Sequence, residues 1–192
     1  MLDKSIPYMD VLMCRKKCSP ILDYSLPKEF KFSHFKSGDE KSWAKIETSV
    51  LEFNDELDAL IYFQKEYLPF FSELERRCIF IENDKGDKIA TATAWFAYSG
   101  IRRDPWLHWV AVHPRYQGLG LGKALISNIL QLMKDIEGDR DFYLHTQTWS
   151  HVAIRLYLQM GFLITDEKNL SKYANDKYPQ NIELLRSIGI GV

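Results

Sequence analysis

Glycines 118, 120 and 122 alternate along Gln117-Gly118-Leu119-Gly120-Leu121-Gly122-Lys123, a turn between a β-rich run and a long amphipathic run. Before it, residues 106–112 read as a strand closing on Val110-Ala111-Val112. After it, Leu121, Ala124, Leu125, Ile129, Leu132, Met133 and Ile136 recur at helical spacing, which predicts a helix to about Glu137. Residues 142–148 read as the next strand. Ala153, Leu156, Tyr157 and Met160 then mark a short helix with Gly161 as its C-cap, and 162–165 form a last strand. Strand, helix, strand in this order requires a right-handed crossover and a partly parallel sheet.

The first half is patterned differently. Residues 1–28 hold Pro7, Pro20, Pro27 and the basic cluster Arg15-Lys16-Lys17, and read as an irregular extension with a candidate strand near 9–14. Phe30, Phe32 and Phe35 suggest the first strand of the domain, and Ser37 with Glu40 fits a capping box. Trp43, Ile46, Val50 and Phe53 follow at helical spacing. A second helix starts near residues 54–55, and Pro69 ends it or opens a short further helix to Arg77. Residues 78–82 and 88–96 flank the turn Asp84-Lys85-Gly86-Asp87, a hairpin pattern. The expected class is α/β, a mixed central sheet flanked by helices. Its expected parts are an extension (1–28), a domain (29–167) and a tail (168–192) whose stretch 179–186 reads as helical and packs on the domain.

A length of 192 residues fits one domain with a terminal extension. A net charge of −1 argues against a nucleic-acid partner. No run approaches the length of a membrane span, and the first residues lack a signal-peptide pattern, so a membrane partner is not expected. Cys14, Cys18 and Cys78 are too few for a disulfide framework and fit a reducing cytoplasm. The C-x3-C pair lacks two further ligands nearby, so no metal is expected.

A glycine-rich strand-to-helix turn lets backbone amides and the helix dipole approach an anion. This one is not a Walker loop: Gln117 stands where the first glycine belongs, and Ala124 follows Lys123. Nor is it a dinucleotide fingerprint, because Lys123 occupies the last glycine position. The stretch 110–125 instead resembles the acetyl-CoA loop of the GNAT superfamily of N-acetyltransferases, Q/R-x-x-G-x-G/A, with Gln117, Gly120 and Gly122 filling it. Ser150-His151-Val152-Ala153-Ile154-Arg155-Leu156-Tyr157-Leu158-Gln159-Met160-Gly161-Phe162 resembles that superfamily's N-x-x-A-x-x-L-Y-x-x-x-G-F segment, with Ser150 in place of the usual asparagine.

The resemblance implies direct transfer of acetyl from acetyl-CoA to a primary amine of a small molecule or a protein. It implies that Gln117, Gly118, Leu119, Gly120, Leu121 and Gly122 cradle the pyrophosphate and that Lys123 adds charge. Val110, Ala111 and Val112 would supply strand backbone to the pantetheine arm, with Ser150 beside it. It places Tyr157 as the acid that protonates the leaving thiolate; a core tyrosine is the competing reading. His108 resembles one member of the histidine pair of arylalkylamine N-acetyltransferases, while Trp106 stands at the other position. Strand alternation would set His108 on one face with Val110 and Val112. His145 is the second candidate base, and each histidine has a structural reading as well. Glu47 and Glu52, in the acid-rich stretch 39–58, are candidates for an acidic acceptor cleft against the reading of a solvated helix face. A final hairpin strand after Asp166, usual in the superfamily, is missing from the pattern. A non-catalytic CoA sensor and another phosphate-ligand binder are the alternatives. A homodimer stays open.

Overall fold

The computed structural model describes residues 2–168 and 170–192. Its seven strands form one mixed sheet in the order β2-β3-β4-β5-β6-β1-β7. The strands are β1 Asp10–Arg15, β2 Lys31–His34, β3 Cys78–Glu82, β4 Lys88–Ser99, β5 Arg102–Val112, β6 Phe142–Gln147 and β7 Leu163–Ile164. Among the described residues six α-helices accompany them: α1 Glu40–Ser49, α2 Glu56–Glu66, α3 Phe71–Arg77, α4 Leu121–Glu137, α5 His151–Gln159 and α6 Tyr178–Ser187. The chain forms two compact units. One holds Met1–Ile21, Trp95–His108 and Lys134–Val192, and the other holds Leu22–Ala94 and Trp109–Met133.

In the unit containing Leu22–Ala94, β2, β3 and the start of β4 pair antiparallel. Helix α1 buries Trp43, Ala44, Ile46 and Glu47, the i, i+1, i+3, i+4 set of one face. The helix begins one residue after Asp39. The expected Ser37–Glu40 box is replaced by a tighter arrangement in which the Glu40 carboxylate accepts from the Gly38 amide at 2.9 Å and Asp39 accepts from the Lys36 amide at 2.8 Å. Asp55 caps α2, accepting from the Asp58 amide at 2.9 Å. Arg77, the last residue of α3, is buried; it pairs with Glu73 and donates to the Ala94 carbonyl at 3.0 Å. In α4, Leu121, Ala124, Leu125, Ile129 and Met133 of the expected stripe are buried, Leu132 and Ile136 are half-buried, and Ile126, Ser127 and Leu130 are buried as well. The reason is visible at Leu22, whose carbonyl accepts from the Ser127 hydroxyl at 2.6 Å, so the incoming chain covers a second side of the helix.

In the other unit, β1 is an interior strand and not part of an irregular extension. It runs antiparallel to β6 over six residues, Asp10↔Gln147 to Arg15↔Phe142, and antiparallel to β7 through Met13↔Ile164 and Cys14↔Leu163. Val11 to Arg15 are all buried. β5 and β6 are parallel through Trp106↔Tyr143 and Leu107↔Leu144, the expected crossover geometry. Gly161, just past α5, has φ +86°, the left-handed C′ position. Arg15 closes that end by donating Nε–H to the Met160 carbonyl at 3.1 Å. The tail carries α6 in place of a strand, and Asn181 on it donates to the Asp10 carbonyl at 2.5 Å. Leu12, Cys14, Trp106, Tyr143 and Leu170 make a small core, with Tyr173 packed against it.

Candidate functional site

The glycine turn lies entirely in the unit containing Leu22–Ala94. Gln117 to Gly120 are exposed, and Leu121, the first residue of α4, is buried and anchors the helix start. Gly118 and Gly120 have φ of +82° and +80°, the left-handed region that favours glycine. A Cβ at either would meet nothing within 4 Å, so the turn presents open backbone at the N-terminus of a 17-residue helix. That combination fits an anionic phosphate group. Gln117 holds the turn to its strand, donating Nε2–H to the Val112 carbonyl at 2.8 Å. The Lys123 ammonium sits 5.5 Å from the ring centre of Tyr24, a partner that sequence patterning did not single out.

Upstream, Trp109 in β5 has φ +52°. A left-handed residue inside a strand interrupts the period of two, so the expected common face of His108, Val110 and Val112 does not follow. Ala111 is buried, and Val110 and Val112 are half-buried. The Trp109 ring belongs to an aromatic cluster: its centroid is 5.4 Å from Trp43, 5.4 Å from Phe53 and 5.2 Å from Tyr62. Glu47, one turn after Trp43 on α1, is 1% exposed, which rules out a solvated face for this residue. Its Oε1 has no hydrogen-bond partner among the described residues. Burial, with Glu52 adding like charge, pushes its carboxyl well above the usual range. Glu52 itself is exposed.

The unit containing β1 carries Tyr157, Ser150, His108 and His145. Tyr157 is buried in α5, edge-on to Phe162 at 6.0 Å between centroids. Ser150 immediately precedes α5 and makes no side-chain capping bond there. Burial lowers the His108 imidazole to about 3, with His145 and Lys172 acting in the same direction. His145 Nε2 lies 2.8 Å from Asp10 Oδ1, and its ring stacks on Tyr173 at 4.1 Å and 14°. Burial lowers its pKa, while Asp10 opposes the shift. Asp10 and Tyr173 escaped the sequence reading. Both lie outside the recognised motifs, and only the fold brings them to His145. Among the described residues no group of three His, Cys, Asp or Glu side chains is placed to hold a metal ion. Nor, among the described residues, is any helix long and apolar enough to cross a membrane.

A stretch of this chain is 36% identical over 64 residues to N-acetyltransferase 8F1 of Rattus norvegicus, covering 33% of this chain and 28% of that protein. N-acetyltransferase 8B of the same organism is 38% identical over 66 residues, 34% of this chain and 29% of the relative. The chain thus spans less than a third of these relatives' lengths. Among solved structures, a GCN5-related N-acetyltransferase from Sphaerobacter thermophilus shares the fold with TM-score 0.62 and 19% identity, covering 81% of this chain and 48% of that one. The model of the acetyltransferase (GNAT) family matches residues 41–162, more than half of the sequence, and the chain belongs to that family.

Proposed function

We propose that this chain is an N-acetyltransferase that moves acetyl from acetyl-CoA to a primary amine of a small molecule or protein. The observation that carries the reading is the open, left-handed glycine turn at the start of α4. The match to relatives named N-acetyltransferase supports the same reaction class.

Acetyl-CoA supplies an acetyl group already activated as a thioester. The backbone of 117–122 holds its phosphates, and Lys123 adds positive charge nearby. Backbone groups of Val110, Ala111 and Val112 and the Ser150 side chain receive the pantetheine arm. Tyr157 delivers a proton from its phenol to the departing sulfur. The acceptor nitrogen must be neutral to attack, so the protein needs a group that takes its proton.

Calorimetric titration with CoA and with ATP, followed by a panel of primary amines with acetyl-CoA, tests the reading. Binding of CoA but not ATP, with thiol release that depends on an amine, is the expected result. CoA binding with no amine turnover would make the chain a CoA sensor, and preference for ATP would overturn the assignment of the loop.

A further inference from the structure

We propose that Asp10, through its hydrogen bond to His145, makes that imidazole the proton acceptor for the incoming amine. The inference rests on the N-acetyltransferase reading and names a positioning residue for it, Asp10, on the N-terminal strand.

The geometry follows from strand pairing. Asp10 faces Gln147 across the antiparallel β1–β6 pair, so His145 is its diagonal neighbour on the same face. Asp10 Oδ1 lies 2.8 Å from His145 Nε2 and also accepts from the Tyr8 hydroxyl at 3.0 Å. A carboxylate offers only acceptor oxygens, so the bond assigns the proton to Nε2 and leaves the lone pair on Nδ1. Tyr173 stacks against the ring and fixes its plane.

The neighbouring histidine is a poorer acceptor. His108 follows Leu107 in β5 as His145 follows Leu144 in β6, and those two leucines are parallel partners. Burial keeps His108 uncharged at neutral pH, and both His145 and Lys172 disfavour its cation. The charged and titratable groups facing His145 are Asp10 from β1, His108 from β5, and Lys172 with Tyr173 from the tail. Asp10 is the carboxylate bonded to His145, so the positive form of His145 has a counter-ion. Asp10 and Tyr173 also wall a cavity of about 280 Å³. The Asp10 side chain is 55% exposed, which gives the pair access to water.

In the step this implies, His145 Nδ1 takes one proton from the acceptor ammonium. The freed nitrogen lone pair forms the N–C bond to the acetyl carbon as the C–S bond breaks. The leaving sulfur takes a proton from Tyr157, and the nitrogen's second proton restores the phenol. His145 then releases its proton to water.

The test uses the full chain and three variants: Asp10→Asn, Asp10→Glu and His145→Gln. Nitrogen-15 spectra of the imidazoles, with His145→Gln giving the assignment, should show His145 as the Nε2–H tautomer. In Asp10→Asn its pKa should fall, because an anion that favours the cation is gone. With the best amine from a primary-amine panel, Asp10→Asn should lower kcat roughly 10²-fold, at the low end of what acid–base groups contribute. The acidic limb of its rate profile should move to lower pH while the Kd for CoA stays within about twofold, and Asp10→Glu should recover part of the rate. A wild-type Nδ1–H tautomer, or an Asp10→Asn variant with unchanged kcat and acidic limb, overturns the proposal and leaves the acetyltransferase reading standing. A wild-type protein that acetylates no amine overturns that reading, and this proposal with it.

Discussion

The Gln117 side-chain amide donates to the Val112 carbonyl across 2.8 Å, tying the glycine turn back to the strand that leads into it. This makes Gln117 a brace for the turn. A single hydrogen bond contributes about 0.5–1.5 kcal/mol net, so Gln117→Ala should weaken CoA binding by roughly 2–10-fold. The residue is exposed, so the melting temperature should barely move. Titration calorimetry with CoA checks the first expectation and thermal unfolding the second. Unchanged affinity would mean that the brace does not matter to the ligand.

Gly120 tests the turn itself. Its φ of +80° costs a residue with a side chain about 1–2 kcal/mol, although the added Cβ meets no protein atom within 4 Å. Gly120→Ala should therefore fold with a modest loss of stability. Gly120→Glu should fold as well but place a carboxylate where phosphate is proposed to sit, and CoA binding should become undetectable by calorimetry. A folded Glu variant with wild-type affinity would remove the turn from the cosubstrate site.

The second half of the fold was legible because its signals are local. The stripe from Leu121 to Met133 and the glycine turn specify α4 and its start within one stretch of chain. The place of β1 was not legible, because its partners β6 and β7 lie more than a hundred residues away and strand pairing leaves no local mark. β1 lies between β6 and β7 in the sheet, and the tail forms α6. Asp10 was missed for the same reason. Trp109 shows another limit: alternation assumes an unbroken strand, and one left-handed residue ends it. Glu47 shows a third. Its charge pointed to an acceptor cleft or a solvated face, whereas its position one turn from Trp43 put it in the core.

Tyr157 is buried against Phe162, so Tyr157→Phe keeps the packing and removes only the phenolic hydroxyl. If the hydroxyl protonates the leaving sulfur, turnover should fall roughly 10²–10⁴-fold. CoA affinity should change little. Single-turnover kinetics with acetyl-CoA and an amine would isolate the chemical step. A Phe variant with the wild-type single-turnover rate would return Tyr157 to a packing role.

Glu47 yields a prediction about stability whose sign can be worked out. Burial, then the charge of Glu52, raises its carboxyl well above the ordinary range. In the unfolded chain the same group ionises near pH ~4.3. Below that pH both states hold the proton and the folded state suffers no charge burial. Above it, the unfolded chain has released a proton that the native state still binds, so stability falls as pH rises through the interval up to the folded value. Glutamine has the same shape and stays neutral at every pH. Glu47→Gln should therefore gain on the wild type as pH rises from about 5 towards the folded value, each kcal/mol appearing as roughly 2–4 °C in a chain of this size. Paired scanning calorimetry across that range measures the widening gap. A gap that stays constant with pH, or reverses, would show that Glu47 carries its charge inside the fold.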